Sequence, residues 1–245
     1  MAIILSRKFR KDILILSEDG RAVEGVRDKS VTCISIPETV TGIEREAFSG
    51  CSSLKEITIP SSVSFIGDNA FNGCSSLIEF ILPPKVDVID WGTFKGCTSL
   101  QTIILNHELT DICEGAFEGC TSLKSIDIPD SVWAIGPSCF KKCTSLQHIS
   151  IPIEEGISRI HSHTFEGCKS LKEFEIPYDI TEIESYAFKD CSSLQEIYIP
   201  DSVRVIGSYA FMNCSSLQKI VIPENTIHDE DIVNGCDSLK RVVIL

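Results

Sequence analysis

Apolar and polar positions recur along this chain in one fixed order. A representative unit reads Cys51-Ser-Ser-Leu54-Lys-Glu-Ile57-Thr-Ile59-Pro60-Ser-Ser-Val63-Ser-Phe-Ile66-Gly67-Asp-Asn-Ala70-Phe71-Asn-Gly73. Ile57 and Ile59 alternate with Glu56 and Thr58, the period-2 pattern of a half-buried strand. Pro60 has no N–H to give a ladder and ends that strand. Val63 and Ile66 predict a second, shorter extended segment that also points inward. Gly67 permits a turn. Asp68, or Ser185 and Ser208 in later units, is placed to cap one short helical turn that carries Ala70 and Phe71 inward. Gly73 and Cys74 then return the chain to Leu77.

The same order repeats through most of the chain. Cys51, Cys74, Cys97, Cys120, Cys143, Cys168, Cys191, Cys214 and Cys236 lie 23, 23, 23, 23, 25, 23, 23 and 22 residues apart. Phenylalanine precedes eight of them by three residues, from Phe48 to Phe211, and leucine follows all nine by three, from Leu54 to Leu239. A fixed period in this range signals a solenoid, in which no unit buries its apolar face alone and stacking makes one continuous core. The pattern Leu-x-x-Ile-x-Ile-Pro-x-x-Val-x-x-Ile-Gly-x-x-Ala-Phe-x-Gly-Cys-x-Ser resembles the BspA-like, Treponema-type class of leucine-rich repeats over about residues 31 to 245. That resemblance implies an α/β-type repeat solenoid: a right-handed, curved coil with a parallel β-sheet on its concave side, and short second strands and short helical turns on the others. It also implies a recognition role, since relatives include bacterial surface adhesins and protist surface proteins that engage host proteins.

The ends depart from the repeat. Residues 13–16 read as a strand and Ser17-Glu18-Asp19-Gly20 as a hairpin turn. Val31-Thr-Cys33-Ile34-Ser-Ile36-Pro37 matches the strand part of a unit without its lead-in. Residues 1–37 are therefore expected to form an N-terminal cap, with 8–37 shielding the first layer, and 38–245 a solenoid of about nine units. Asn106 stands where proline is expected, and Ile153-Glu154-Glu155-Gly156 adds two residues that should bulge from one loop. In the last, degenerate unit, residues 226–231 lack the Ile-Gly turn and Ile232-Val233 replaces Ala-Phe. The final residues, Leu239-Lys-Arg-Val242-Val243-Ile244-Leu245, read as an unpaired edge strand, a pairing hazard expected to be covered by a homodimer mate or by further chain.

Charge narrows the partners. The chain has 22 basic and 35 acidic residues, a formal net charge of −13. It repels phosphate, which excludes bare nucleic acid and anionic bilayers as expected partners. No apolar run approaches the ~18 residues of a membrane span. Residues 2–5 are too short an apolar run, before Arg7 and Lys8, for a signal-peptide core. That test makes the chain cytoplasmic; the resemblance makes it cell-surface or secreted if a leader has been removed.

Twelve cysteines invite a disulfide or metal reading. Equivalent positions on adjacent coils lie about 4.8 Å apart, within the reach of a bridge. Yet the ladder count is odd, and each cysteine faces two equivalent neighbours, so no pairing is preferred. Packing already accounts for the spacing, because free cysteine behaves as a small buried hydrophobe. A reduced thiol ladder is the expectation. Zinc needs ligands converging on a point, which a linear ladder does not supply; Cys139 of the lone Cys139-x3-Cys143 pair fills the small Ala slot. Cys33 differs, since it falls at an exposed strand position and is a candidate reactive thiol.

The exposed strand positions form two columns, running from Cys33 and Ser35 through Lys219 and Val221 to Arg241 and Val243, in which residue identity varies while the inward positions repeat. They present Glu56, Thr58, Glu79, Ile81, Ile104, Asp127, His148, Glu173, Glu175, Glu196 and Tyr198 as candidate partner-binding residues. Ile81 and Ile104 are aliphatic anchors beside Glu56 and Glu79, and Tyr198 is an aromatic anchor beside Glu173, Glu175 and Glu196. Ser125, His148 and Glu173 make a nominal Ser-His-Glu row, but an open strip offers it neither an oxyanion site nor exclusion of water. His161-x-His163 at an outer turn, near Glu154 and Glu155, is a weak metal candidate against a solvated turn. Asn213-Cys214-Ser215 matches a glycosylation sequon where the repeat itself demands Cys-Ser-Ser, and Tyr186 and Tyr209 share an outer column where they can stack. The reading is a non-catalytic scaffold without cofactor or metal that binds a protein through this strip. The alternative is structural self-association through the C-terminal strand.

Overall fold

The computed structural model describes residues 13–152 and 156–245. The apolar run at 2–5, the start of the cap and the inserted Ile153, Glu154 and Glu155 lie outside the described residues. The chain winds into a parallel β-solenoid. Among the described residues nine first strands follow one another along one face: Cys33–Ser35, Glu56–Thr58, Glu79–Ile81, Thr102–Ile104, Ser125–Asp127, His148–Ser150, Glu196–Tyr198, Lys219–Ile222 and Arg241–Ile244. A second series of two-residue strands, from Gly42–Ile43 to Ile227–His228, makes another face. Among the described residues no helix is long and apolar enough to cross a membrane.

The core is the repeat made physical. Phe48, Phe71, Phe94, Phe117, Phe140, Phe165, Phe188 and Phe211 are essentially inaccessible. Their rings stack coil upon coil with centroids 5.2–5.7 Å apart and planes within 3–19° of parallel. Phe80 and Phe174, standing where most coils carry isoleucine, pack edge-on or tilted against two stacked rings each. Edge-on and offset contacts are the favoured aromatic geometries.

The helical turns expected before each cysteine are absent from every described unit but the last, so the α/β assignment is corrected to an almost wholly β coil. The only helix among the described residues is a single 3-10 turn, Glu230–Val233, in the degenerate last unit. Elsewhere two successive reverse turns do the work. Ala70 N–H bonds Gly67 O at 3.1 Å and Cys74 N–H bonds Phe71 O at 3.0 Å. The third residue of each turn is left-handed: Asn69 at φ 54° and Gly73 at φ 72°. A left-handed third residue suits a type II turn and is incompatible with a continuing helix. It also explains why Gly50, Gly73, Gly96, Gly119, Gly167 and Gly235 precede a cysteine. Gly67 has a different role from the one expected. Its φ is not left-handed; a Cβ there would lie 2.8 Å from Arg45 N, so glycine lets the neighbouring coil approach.

This turn side carries an uninterrupted ladder between coils. Gly73 N–H reaches Lys95 O at 2.7 Å, and the same bond recurs from Gly50 through Asn213 at 2.7–2.8 Å. The cysteines add a second ladder. Cys74 Sγ–H donates to Phe48 O at 3.2 Å, an oxygen that already accepts Cys51 N–H at 3.0 Å. Cys97, Cys120, Cys143, Cys168, Cys191, Cys214 and Cys236 repeat the bond to the phenylalanine one coil back. All twelve cysteines are free thiols, and the nine of the ladder are buried, as packing led us to expect. Burial pushes Cys74 and Cys143 up to about 12, which keeps them protonated and able to donate.

The strand faces are less continuous than the single sheet expected. The first strands pair in parallel as Cys33–Ser35 with Glu56–Thr58, Glu79–Ile81 with Thr102–Ile104, Ser125–Asp127 with His148–Ser150, and Glu196–Tyr198 through Lys219–Ile222 to Arg241–Ile244. Residues 172–176 form no strand. The second strands fall into three groups, and one break lies between Ala134–Ile135 and Arg159–Ile160, where the insertion lengthens the coil. At the N-terminus Leu14–Leu16 pairs antiparallel with Ala22–Val26 around Gly20 (φ 70°), the expected hairpin, and Leu14, Val23 and Val26 are buried. Asn106 replaces proline by making the turn itself. Its Nδ2 donates to Pro83 O at 2.6 Å and Val86 O at 2.8 Å, and its Oδ1 accepts Glu108 N–H at 2.8 Å.

Phe117 touches rings on both sides. Phe117→Ala should therefore lower the unfolding free energy by about 3–5 kcal/mol in urea titration. Tyr178→Ala, at an exposed corner, should change it by no more than about 0.5 kcal/mol.

Candidate binding surface

Strand pleating sends Ile57, Phe80, Ile103, Ile126, Ile149, Phe174, Ile197 and Ile220 toward the core and the residues on either side of each outward. All eleven expected strip residues, Glu56, Thr58, Glu79, Ile81, Ile104, Asp127, His148, Glu173, Glu175, Glu196 and Tyr198, are exposed. The parallel register sets Ile81 beside Ile104, and they are 64% and 55% exposed. Ile78, in the column at the strip's margin, extends that apolar patch. Tyr198 is 54% exposed and held in place: its hydroxyl donates to Glu196 Oε2 at 2.8 Å and accepts from Lys219 Nζ at 2.9 Å, while that ammonium lies 4.6 Å from the ring centroid. Val221, which alternation placed in the exposed column, is buried instead beside Tyr198. Cys33 is exposed, with Sγ 4.0 Å from Glu56 Oε2.

The strip differs electrically from the rest of the surface. Its two columns hold six carboxylates, Glu56, Glu79, Asp127, Glu173, Glu175 and Glu196. Six cations offset them: Lys55, Lys124, Lys172 and Lys240 along one margin, and Lys219 and Arg241 on the last two strands. The two columns taken together with that margin thus contribute nothing to the net −13 of the chain. On the turn side Lys95 meets Glu118 at 2.8 Å, Lys141 meets Glu166 at 2.7 Å and Lys189 meets Glu166 at 3.3 Å. Burial would raise the Glu166 carboxyl, but hydrogen bonds from Lys141, His163 and Lys189 outweigh it and hold it at about 2.

Other candidates resolve into structure. Ser125 and His148 are neighbours in register, but Glu173 lies outside any strand, and no hydrogen bond joins the three among the described residues. His161 and His163 do not converge: His161 Nδ1 donates to Glu184 Oε1 at 2.9 Å and His163 Nδ1 to Glu166 Oε2 at 2.6 Å. The rings of His163, Tyr186 and Tyr209 stack at 5.0 and 5.4 Å along the turn side. All three are left-handed, at φ 61–62°. Sequence reading found the tyrosine pair and missed its histidine; the shared column position, next to the small residue before each Phe, was the available signal. Asp68 and Asp90 are a further convergence that alternation did not reveal. Burial and the adjacent Asp68 carboxyl raise Asp90 above the usual carboxylate range.

A model of the BspA type leucine rich repeat region matches residues 27–147 and 133–245, in six copies. A leucine-rich repeat protein from Bacteroides ovatus is 31% identical, with a TM-score of 0.80 over 94% of this chain and 68% of its own. The leucine-rich repeat protein of T. pallidum is 27% identical, with a TM-score of 0.64 over 83% of this chain and 86% of its own. A leucine-rich repeat protein from Eubacterium ventriosum is also 27% identical, with a TM-score of 0.64 over 74% of this chain and 48% of its own. No curated protein matches the chain.

The Glu166 clasp has a pH signature. A carboxyl depressed from 4.5 to about 2 contributes stability that is fully present above pH ~4.5 and is lost as pH falls toward ~2. Glu166→Gln should cost about 1–2 kcal/mol at neutral pH, allowing for solvent screening. In denaturation curves taken across that window, its gap to the parent protein should close as pH falls.

Proposed function

Because the chain belongs to the BspA-type leucine-rich repeat family, we propose that it is a non-catalytic scaffold that presents its first-strand strip to another protein. The observation that carries this reading is the combination found on that side. Together with its lysine margin the strip is electrically balanced within a strongly acidic molecule, and it exposes Ile81, Ile104 and Tyr198 among polar side chains. An acidic shell resists indiscriminate association, whereas a balanced face with apolar anchors can be desolvated by a complementary surface. Inward positions are constrained by stacking; the strip positions are not, so they are free to be chosen for a partner. Shape and polarity do the work, without cofactor or chemistry.

The test compares capture from candidate host or cell extracts by the parent chain, by Ile81→Ala/Ile104→Ala/Tyr198→Ala, and by Trp91→Ala/Trp133→Ala, which removes exposed aromatics from other sides. The strip variant should lose the captured protein, identified by mass spectrometry, with its melting temperature unchanged. The tryptophan variant should retain it. Undiminished capture by a folded strip variant would overturn the strip.

A second reading, self-association through the strand Arg241–Ile244, is favoured by one observation. Val242 and Ile244 are 50% and 52% exposed, although their partners in register, Ile220 and Ile222, are buried. Light scattering should then give a mass that rises with concentration and returns to the monomer value in Val242→Lys/Ile244→Lys. A concentration-independent monomer mass for the parent chain rules this reading out.

A further inference from the structure

The strip's midline is more specific than its balanced total. From Cys33 to Tyr198 its two exposed columns contain six carboxylates and no lysine or arginine. The compensating Lys55, Lys124 and Lys172 stand in the marginal column. Asp127, Glu173 and Glu175 take part in no ion pair among the described residues. On the turn side, lateral neighbours of the same spacing are clasped, as Glu166 is by Lys141 and Lys189. These three carboxylates lie between two apolar stations, the Ile81–Ile104 pair and Tyr198. The coil of Ile104 and that of Tyr198 are four strand spacings apart, about 19 Å. Resting on the strip as the contact face, we propose that its partner is a cationic protein segment laid along the solenoid axis. The segment sets an apolar side chain on Ile81–Ile104, another beside Tyr198, and lysine or arginine between them on Asp127, Glu173 and Glu175.

The physical case is complementarity at short range. Exposed carboxylates that no neighbour clasps keep their full attraction for an incoming cation, and each apolar station desolvates only when an apolar group covers it. An extended segment advances about 3.3 Å per residue, so anchors about six residues apart span the two stations. A nucleic acid or an acidic protein would meet the midline with like charge.

The experiment uses three fluorescein-labelled peptides, Leu-Lys-Lys-Lys-Lys-Lys-Leu, the same peptide with both leucines replaced by serine, and the same peptide with every lysine replaced by glutamate. Anisotropy should show binding of the first, about tenfold weaker binding of the serine form, and none of the glutamate form. Asp127→Asn/Glu173→Gln/Glu175→Gln should weaken the first peptide about tenfold. Glu38→Gln/Asp130→Asn/Asp201→Asn, which removes three exposed carboxylates from the corner after the strand, should leave binding unchanged. Equal weakening by both triples, or no binding of the first peptide, overturns the proposal. The strip triple also goes into the capture assay. If it still captures the protein that Ile81→Ala/Ile104→Ala/Tyr198→Ala loses, the strip stands as the contact face and the cationic partner is refuted.

Discussion

The bond between one coil and the next at the turn side is the interaction on which everything else depends. Three contributions coincide there. Phenylalanine rings stack through the whole coil at 5.2–5.7 Å. Main-chain bonds such as Gly73 N–H to Lys95 O run without interruption. The cysteine thiol uses the spare lone pair of the phenylalanine carbonyl one coil back. A buried carbonyl with an unmet lone pair is a modest liability, and a thiol is the side chain that meets it without the desolvation cost of a hydroxyl. Repeated eight times, that small gain explains a cysteine ladder with no disulfide in it.

Holding the coils together on one side frees the others. The first-strand face breaks into short paired groups, and residues 172–176 form no strand, yet the stack continues beneath it through Phe165, Phe174 and Phe188. Strand pairing on that face is consequently not the only thing that holds the coils together. This is the physical basis for reading the strip as recognition surface and the turn side as structure. The charge distribution agrees: on the turn side Glu118 and Glu166 are clasped by lysine, whereas Asp127, Glu173 and Glu175 take part in no ion pair among the described residues.

Much of this was legible in residue order alone. The alternation around Ile57 located the strands, and the burial of the Phe and Cys ladders followed from their period. Asp-Gly at 19–20 marked the hairpin. The eleven strip residues were all correctly placed outside, because pleating turns them outward once Ile57 and its equivalents point in. Two of the readings that failed did so for reasons local sequence could not show. A short Gly-x-x-Ala-Phe stretch carries the composition of a capped helical turn, but a left-handed residue at Asn69, Tyr186 or Tyr209 is decided by the path the chain must take back to the next coil. Val221 was assigned to the surface by alternation and is covered by its surroundings, which alternation does not see.

The sequence by itself determined the repeat, its family, the inward set and the free state of the thiols, since all of these follow from period and side-chain character. Only the tertiary structure decided how the coils are joined. Which carbonyl a thiol reaches, where the strand ladders break, and which carboxylates find a cation across the gap between coils all depend on lateral contacts between residues some 23 positions apart. Local sequence carries no record of such pairings until the coil closes and brings them within hydrogen-bonding distance.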